Sequence, residues 1–227
     1  MEKKKIPLRM VGALLRPRNI FQEIAEHLDL IGAVAAIISF YLVNAIVFVV
    51  SSTTYFTLLG RYGVWIQIML NRTILERTII GLFLLLGGWS LISQLFKVAY
   101  DLPSWKKIAS PLGYAFMGGM IIVAIEALTI PFHPHITLPG PEEFQLYEQF
   151  MSNQPIMQQW LLISLAFRFA INLVISILGS FGFNAFKGTL SQAQLFLRIF
   201  VCLTTFSFIH VLFFLPIEYI VVLAIAD

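Results

Sequence analysis

Five polar side chains stand inside long apolar runs of the chain: Glu126, Arg168, Asn172, His210 and Glu218. A guanidinium, two carboxylates, an imidazole and an amide can form a buried ion pair, hold an anion or a lipid headgroup, or pass a proton. Arg168 lies in WLLISLAFRFAINLVISILGSF, residues 160–181. That run is apolar for about the 20 residues a helix needs to cross a bilayer. An arginine at such depth costs at least ~3 kcal/mol on insertion scales, so it is expected to face a bundle interior or a wet cavity. Ser164, Arg168, Asn172, Ser176 and Ser180 recur at steps of four. Such steps drift by roughly 40° each on a 3.6-residue helix. Arg168, Asn172 and Ser176 can therefore share a face, whereas Ser164 and Ser180 cannot both join it. The other spans must supply partners, with Glu126 or Glu218 as counter-ion and His210 and Asn172 as hydrogen-bond partners. In a structural role the cluster neutralises itself and decides which helices meet. In a functional role it lines a cavity and binds an anion, an ion or a lipid headgroup, with His210 or a glutamate changing protonation.

The elements that must position these groups follow from composition. Of 227 residues, 59% are hydrophobic and only 12% charged, about half the charge of a soluble domain at ~25%. The expected fold is an all-α polytopic membrane bundle of five transmembrane helices with interfacial amphipathic helices. The spans are placed at 30–50, 78–98, 112–131, 160–181 and 195–226. Residues 1–29 form a basic amphipathic segment along the inner surface, and residues 30–227 form the membrane domain. In that first segment Lys3, Lys4, Lys5, Arg9, Arg16 and Arg18 are expected to meet anionic headgroups, while Phe21, Ile24, Ala25 and Leu28 recur at helix spacing. Val64 to Leu75 is apolar but too short to cross, so it reads as a separate interfacial helix. Gly87, Ser90, Gln94 and Lys97 mark one side of the second span as a packing face. In the third span Ala115, Gly119, Ile122 and Glu126 share a face, a small-residue contact that carries a carboxylate into a helix interface. The basic residues favour an inner amino terminus and an outer carboxyl terminus.

Several classes are set aside. The excess of basic residues sits at span ends, where topology explains it, so no nucleic-acid partner is expected. The one cysteine, Cys202, excludes a disulfide within the chain and a metal site built from cysteines. There is no phosphate-cradling glycine loop, zinc-protease helix motif or nucleophile elbow; neither catalysis nor a cofactor or metal is expected. No cleavable leader is evident.

Three stretches, LLRPRNIFQEIAEH before the first span, PLGYAF in the third and ILGSFGFNAFKGTLSQAQ before the last, together with the count of five spans, resemble the Yip family. These are five-span membrane proteins associated with Rab-type GTPases in eukaryotes and also present in bacteria and archaea. The long cytosolic amino-terminal region of the eukaryotic members has no counterpart in this sequence, so the resemblance implies a prokaryotic-type member in a cell membrane. It also implies a non-enzymatic protein that organises membrane or assembles with a second copy or with partner membrane proteins. The alternative reading is a carrier or channel for an ion, a small solute or a lipid, working through the Arg168 cluster.

Overall fold

The computed structural model describes residues 5–58, 63–132, 136–138, 155–187 and 191–208. Seven helices account for nearly all of them. Helices α1 (Lys5–Leu15) and α2 (Pro17–Glu26) form a hairpin, followed by α3 (Leu30–Tyr55). Then come α4 (Gly63–Ala99), α5 (Lys106–Thr129) with a closing 3-10 turn (Ile130–Phe132), α6 (Pro155–Lys187) and α7 (Gln192–Phe208). The exits of α3 and α5 are tied by a short parallel ladder, β1 (Phe56–Leu58) on β2 (Ile136–Leu138), in register Phe56 to Ile136. One end of the bundle thus carries the α1–α2 hairpin and the other carries the ladder.

Among the described residues, four helices are long and apolar enough to cross a membrane, within Leu30–Val47, Ile79–Ala99, Lys106–Phe132 and Leu165–Phe183. The protein is an all-α, multi-pass membrane bundle. The fifth expected span is represented by the apolar helix α7, which ends at Phe208 among the described residues; the remainder of that span lies outside them. Residues 64–75 do not form a separate interfacial helix. They run without a break into the second span as part of the 37-residue α4. From residue 64 to residue 80 there is neither glycine nor proline, so nothing in the backbone stops the helix.

Helix α5 is the centre of the molecule, packed most extensively on α6 and α3. Every residue from Ile108 to Gly119 is buried. A helix enclosed on all sides needs side chains small enough to admit neighbours on each face, and this stretch has them. A methyl group on Gly113 would meet Ala33 of α3 at 2.6 Å, and one on Gly119 would meet Phe40 of α3 at 2.7 Å and Ile171 of α6 at 3.3 Å. On α4 the packed side is not the one expected. Gly87, Gln94 and Lys97 are exposed, whereas Trp89, Ile92, Ser93 and Phe96 are buried and Gly88 receives the Phe206 ring. The aromatic and branched side chains bring far more contact area than the small and polar ones, and the Trp89 indole donates to the Ala109 carbonyl at 2.9 Å. A cavity of about 10 Å³ between α4, α5, α6 and α7 is lined by Ile92, Phe96, Leu112 and Phe183 among other apolar groups, too small and too apolar to hold water.

Candidate functional site

The best-developed polar site lies at the hairpin end. Arg16 leaves helical geometry and Pro17 starts α2, so the chain reverses and α2 lies on α6 while α1 lies on α5. Ala13, Phe21 and Ile24 are fully buried by this docking. Arg9 goes in with them. It is 3% exposed and reaches Glu23 of α2 at 2.8 Å and Asp29 at 3.2 Å. Asp29 is the N-cap of α3, accepting from the Gly32 backbone N–H at 2.8 Å, the usual service of an aspartate that satisfies a helix's first free donors. Its other oxygen accepts from the Tyr114 hydroxyl of α5 at 2.7 Å, and its backbone N–H donates to the Ser110 hydroxyl at 2.9 Å. Three helices, α1, α3 and α5, are joined through one carboxylate, and Arg9 ties in α2 through Glu23.

Burial alone would push the Asp29 carboxyl up, but the bonds from Tyr114 and Gly32 and the nearby Arg9 outweigh it and hold it below the usual aspartate value. Burial likewise opposes the charge on Arg9, and its bonds to Glu23 and Asp29 more than restore it. The glycine at position 32 is required for a specific reason: a Cβ there would collide with the Tyr114 hydroxyl. Arg9 is therefore not a lipid contact; it is a lock within the protein. Arg16 and Arg18 are exposed, and the side chains of Lys3, Lys4 and Lys5 lie outside the described residues. Sequence reading missed the lock because Asp29 ended a polar segment and Tyr114 sat in an apolar span, 85 residues apart. The one available signal was an aspartate at a helix start three residues before a glycine.

With the lock in place, α1 turns the apolar side chains Leu8, Val11 and Leu15 outward, at 72%, 53% and 75% exposure. They stand at the same end as exposed Arg16, Arg18, Lys97, Lys106 and Arg198. The Arg198 guanidinium bonds the Tyr100 hydroxyl at 2.8 Å and lies over its ring.

The expected intramembrane cluster is divided. Asn172, Ser176 and Ser180 face the interior and are buried. Asn172 donates to the Ser207 hydroxyl of α7 at 3.0 Å, and Ser176 and Ser180 donate to carbonyls of their own helix. Arg168 is exposed. The drift of the four-residue steps explains this: once Asn172 to Ser180 turn inward, the next step towards the ladder end rotates out. Arg168 forms no ion pair with Glu126 among the described residues. Glu126 is half-buried, and both it and Tyr41 of α3 lie within the electrostatic reach of the Arg168 guanidinium. His210 and Glu218 lie outside the described residues. No family model, curated protein or solved structure matches the chain.

Proposed function

We propose that the protein is a non-enzymatic, Yip-like integral membrane protein that organises membrane or assembles with partner proteins through its hairpin end. The observation that supports this reading most directly is the lock. Arg9, Glu23, Asp29, Tyr114 and Ser110 all serve to fasten α1 and α2 across the end of the bundle, and the helix beneath them is buried on every side from Ile108 to Gly119. A solute path would need polar groups lining water-filled space. Here the buried Asn172 and Ser176 bond Ser207 and their own helix, and the packing between α4 and α7 is apolar.

In this reading the hairpin end is the inner end. The outward apolar edge of α1, beside exposed Arg16 and Arg18, seats the hairpin in the headgroup region of the inner leaflet, where an apolar edge and basic flanks act together. The carboxyl terminus lies on the opposite side of a cell membrane. The same surface presents the exposed basic groups to anionic lipid and to partner proteins.

The test pairs a flux measurement on protein reconstituted in liposomes with cross-linking in native membranes. Solute and ion flux is expected to equal that of empty vesicles, and cross-linking from cysteines placed at Arg16 and Arg18 is expected to trap discrete oligomers or partners in native membranes. Flux that depends on Arg168, with no cross-linked species, would overturn the reading in favour of a carrier.

A further inference from the structure

The side of the bundle nearer the ladder carries a second polar constellation with a different character from the lock. Gly119 draws α3 and α6 against α5, with Phe40 and Ile171 both at contact distance from its position. The next polar groups towards the ladder end on these helices are Tyr41, Glu126 and Arg168. Tyr41 and Glu126 are half-buried in the seam and Arg168 is exposed at its rim. Tyr41 and Glu126 each lie within the electrostatic reach of Arg168, yet among the described residues none of the three is joined to another by a side-chain hydrogen bond or ion pair. Large apolar side chains close to them in sequence on the same helices are exposed: Leu165 and Phe169 on α6, Ile125 and Leu128 on α5, and Leu42 on α3. Arg168 lies three residues inside the apolar window that starts at Leu165 and eight from Trp160. That is roughly 5–12 Å below the boundary, a depth from which an arginine head can snorkel towards the headgroups.

A guanidinium and a carboxylate held near each other without pairing present opposite charges side by side. A simple anion would be attracted by Arg168 and repelled by Glu126, and a simple cation the reverse. A zwitterion satisfies both. We propose that this lateral seam binds the headgroup of an amine-bearing phospholipid, its phosphodiester on Arg168, its ammonium on Glu126 and its acyl chains along the exposed apolar groups. The surface fits a lipid better than a second helix. Helix pairs in membranes meet through small residues, and Gly113, Gly118, Gly119 and Gly182 all serve contacts inside the chain, leaving large side chains around the seam. The proposal rests on the bilayer-spanning reading alone, and it holds whether or not the hairpin end recruits partners.

The experiment is native mass spectrometry of the full chain released from detergent micelles doped with phosphatidylethanolamine or phosphatidylglycerol, with helical circular dichroism as the folding control. Wild type is expected to retain phosphatidylethanolamine about tenfold better than phosphatidylglycerol, the scale of one charge-assisted contact. Glu126→Gln should remove that discrimination while keeping lipid bound, and Arg168→Gln should lose both lipids; Arg168→Lys, which keeps the charge, should restore part of the binding. Equal retention of the two lipids by wild type would overturn the proposal. So would inorganic phosphate competing the lipid away, which would indicate a site for free anions. A dimer that disappears in Arg168→Gln, with no bound lipid, would assign the seam to a second copy and also overturn it.

Discussion

Replacing Arg9 with methionine removes the guanidinium and keeps a side chain of similar length, so the loss it causes can be worked out from the two carboxylates left behind. Glu23 is 39% exposed and Asp29 only 11%. Glu23 turns to water when its partner goes, and its arm is worth about 0.2–1 kcal/mol, as for other solvated pairs. Asp29 cannot rehydrate so easily. Stripping one partner from a buried pair costs roughly 3–5 kcal/mol, and because Asp29 keeps the Tyr114 and Gly32 donors the low end of that range applies. Arg9→Met should therefore lose about 3 kcal/mol, Glu23→Gln less than about 1 kcal/mol, and Asp29→Asn roughly 2–3 kcal/mol. The assay is equilibrium unfolding in mixed micelles by added dodecyl sulfate, followed by helical circular dichroism. The double variant Arg9→Met/Asp29→Asn should lose less than the sum of its parts, with a coupling of about 1–3 kcal/mol. Equal losses for Glu23→Gln and Asp29→Asn would refute the claim that burial sets the energy. Additivity within ~0.5 kcal/mol would refute contact itself.

Other outcomes follow from the same geometry. Tyr114→Phe should cost about 1.5–3 kcal/mol, as one hydrogen bond to a charged acceptor is lost. Gly32→Ala should displace the same phenol, so in the same unfolding assay it should be tolerated better on a Tyr114→Phe background than on wild type. Because the folded Asp29 carboxyl lies below its usual value, its contribution is complete above the unfolded value and fades as pH falls through the folded one. Acid titration by circular dichroism should show loosening only in that acidic range, and Tyr114→Phe should move it to higher pH by removing a bond that favours the charged form. At the α6–α7 contact, Asn172→Ala and Ser207→Ala should each cost about 0.6 kcal/mol and at most ~1.7, as for other hydrogen bonds between membrane helices. The double variant should add little to either.

How far the sequence could be read differs from residue to residue. Gly119 and Glu126 were placed on one face of α5 by spacing alone, and the structure sets that face between α3 and α6. Asn172 and Ser176 share a buried face, as their spacing implies, because the fixed rotation per residue decides which positions of a helix lie together. Which way that face turns is another matter. The polar seam holds five candidates and the bundle admits only an arc of them, so Arg168 was displaced outward by the inward seating of Asn172, Ser176 and Ser180.

The sequence by itself determined the class of solvent the chain lives in, the all-helical architecture and the four spans of α3 to α6, because apolar length and helix periodicity are properties of consecutive residues. Only the tertiary structure decided that Arg9 is a lock and not a lipid contact, that α4 packs by Trp89 and Phe96, and that Asp29 and Tyr114 meet. Each of these depends on which helices become neighbours across long separations in the chain. That choice is made by the shapes of whole faces competing for the same central helix, which no local spacing records.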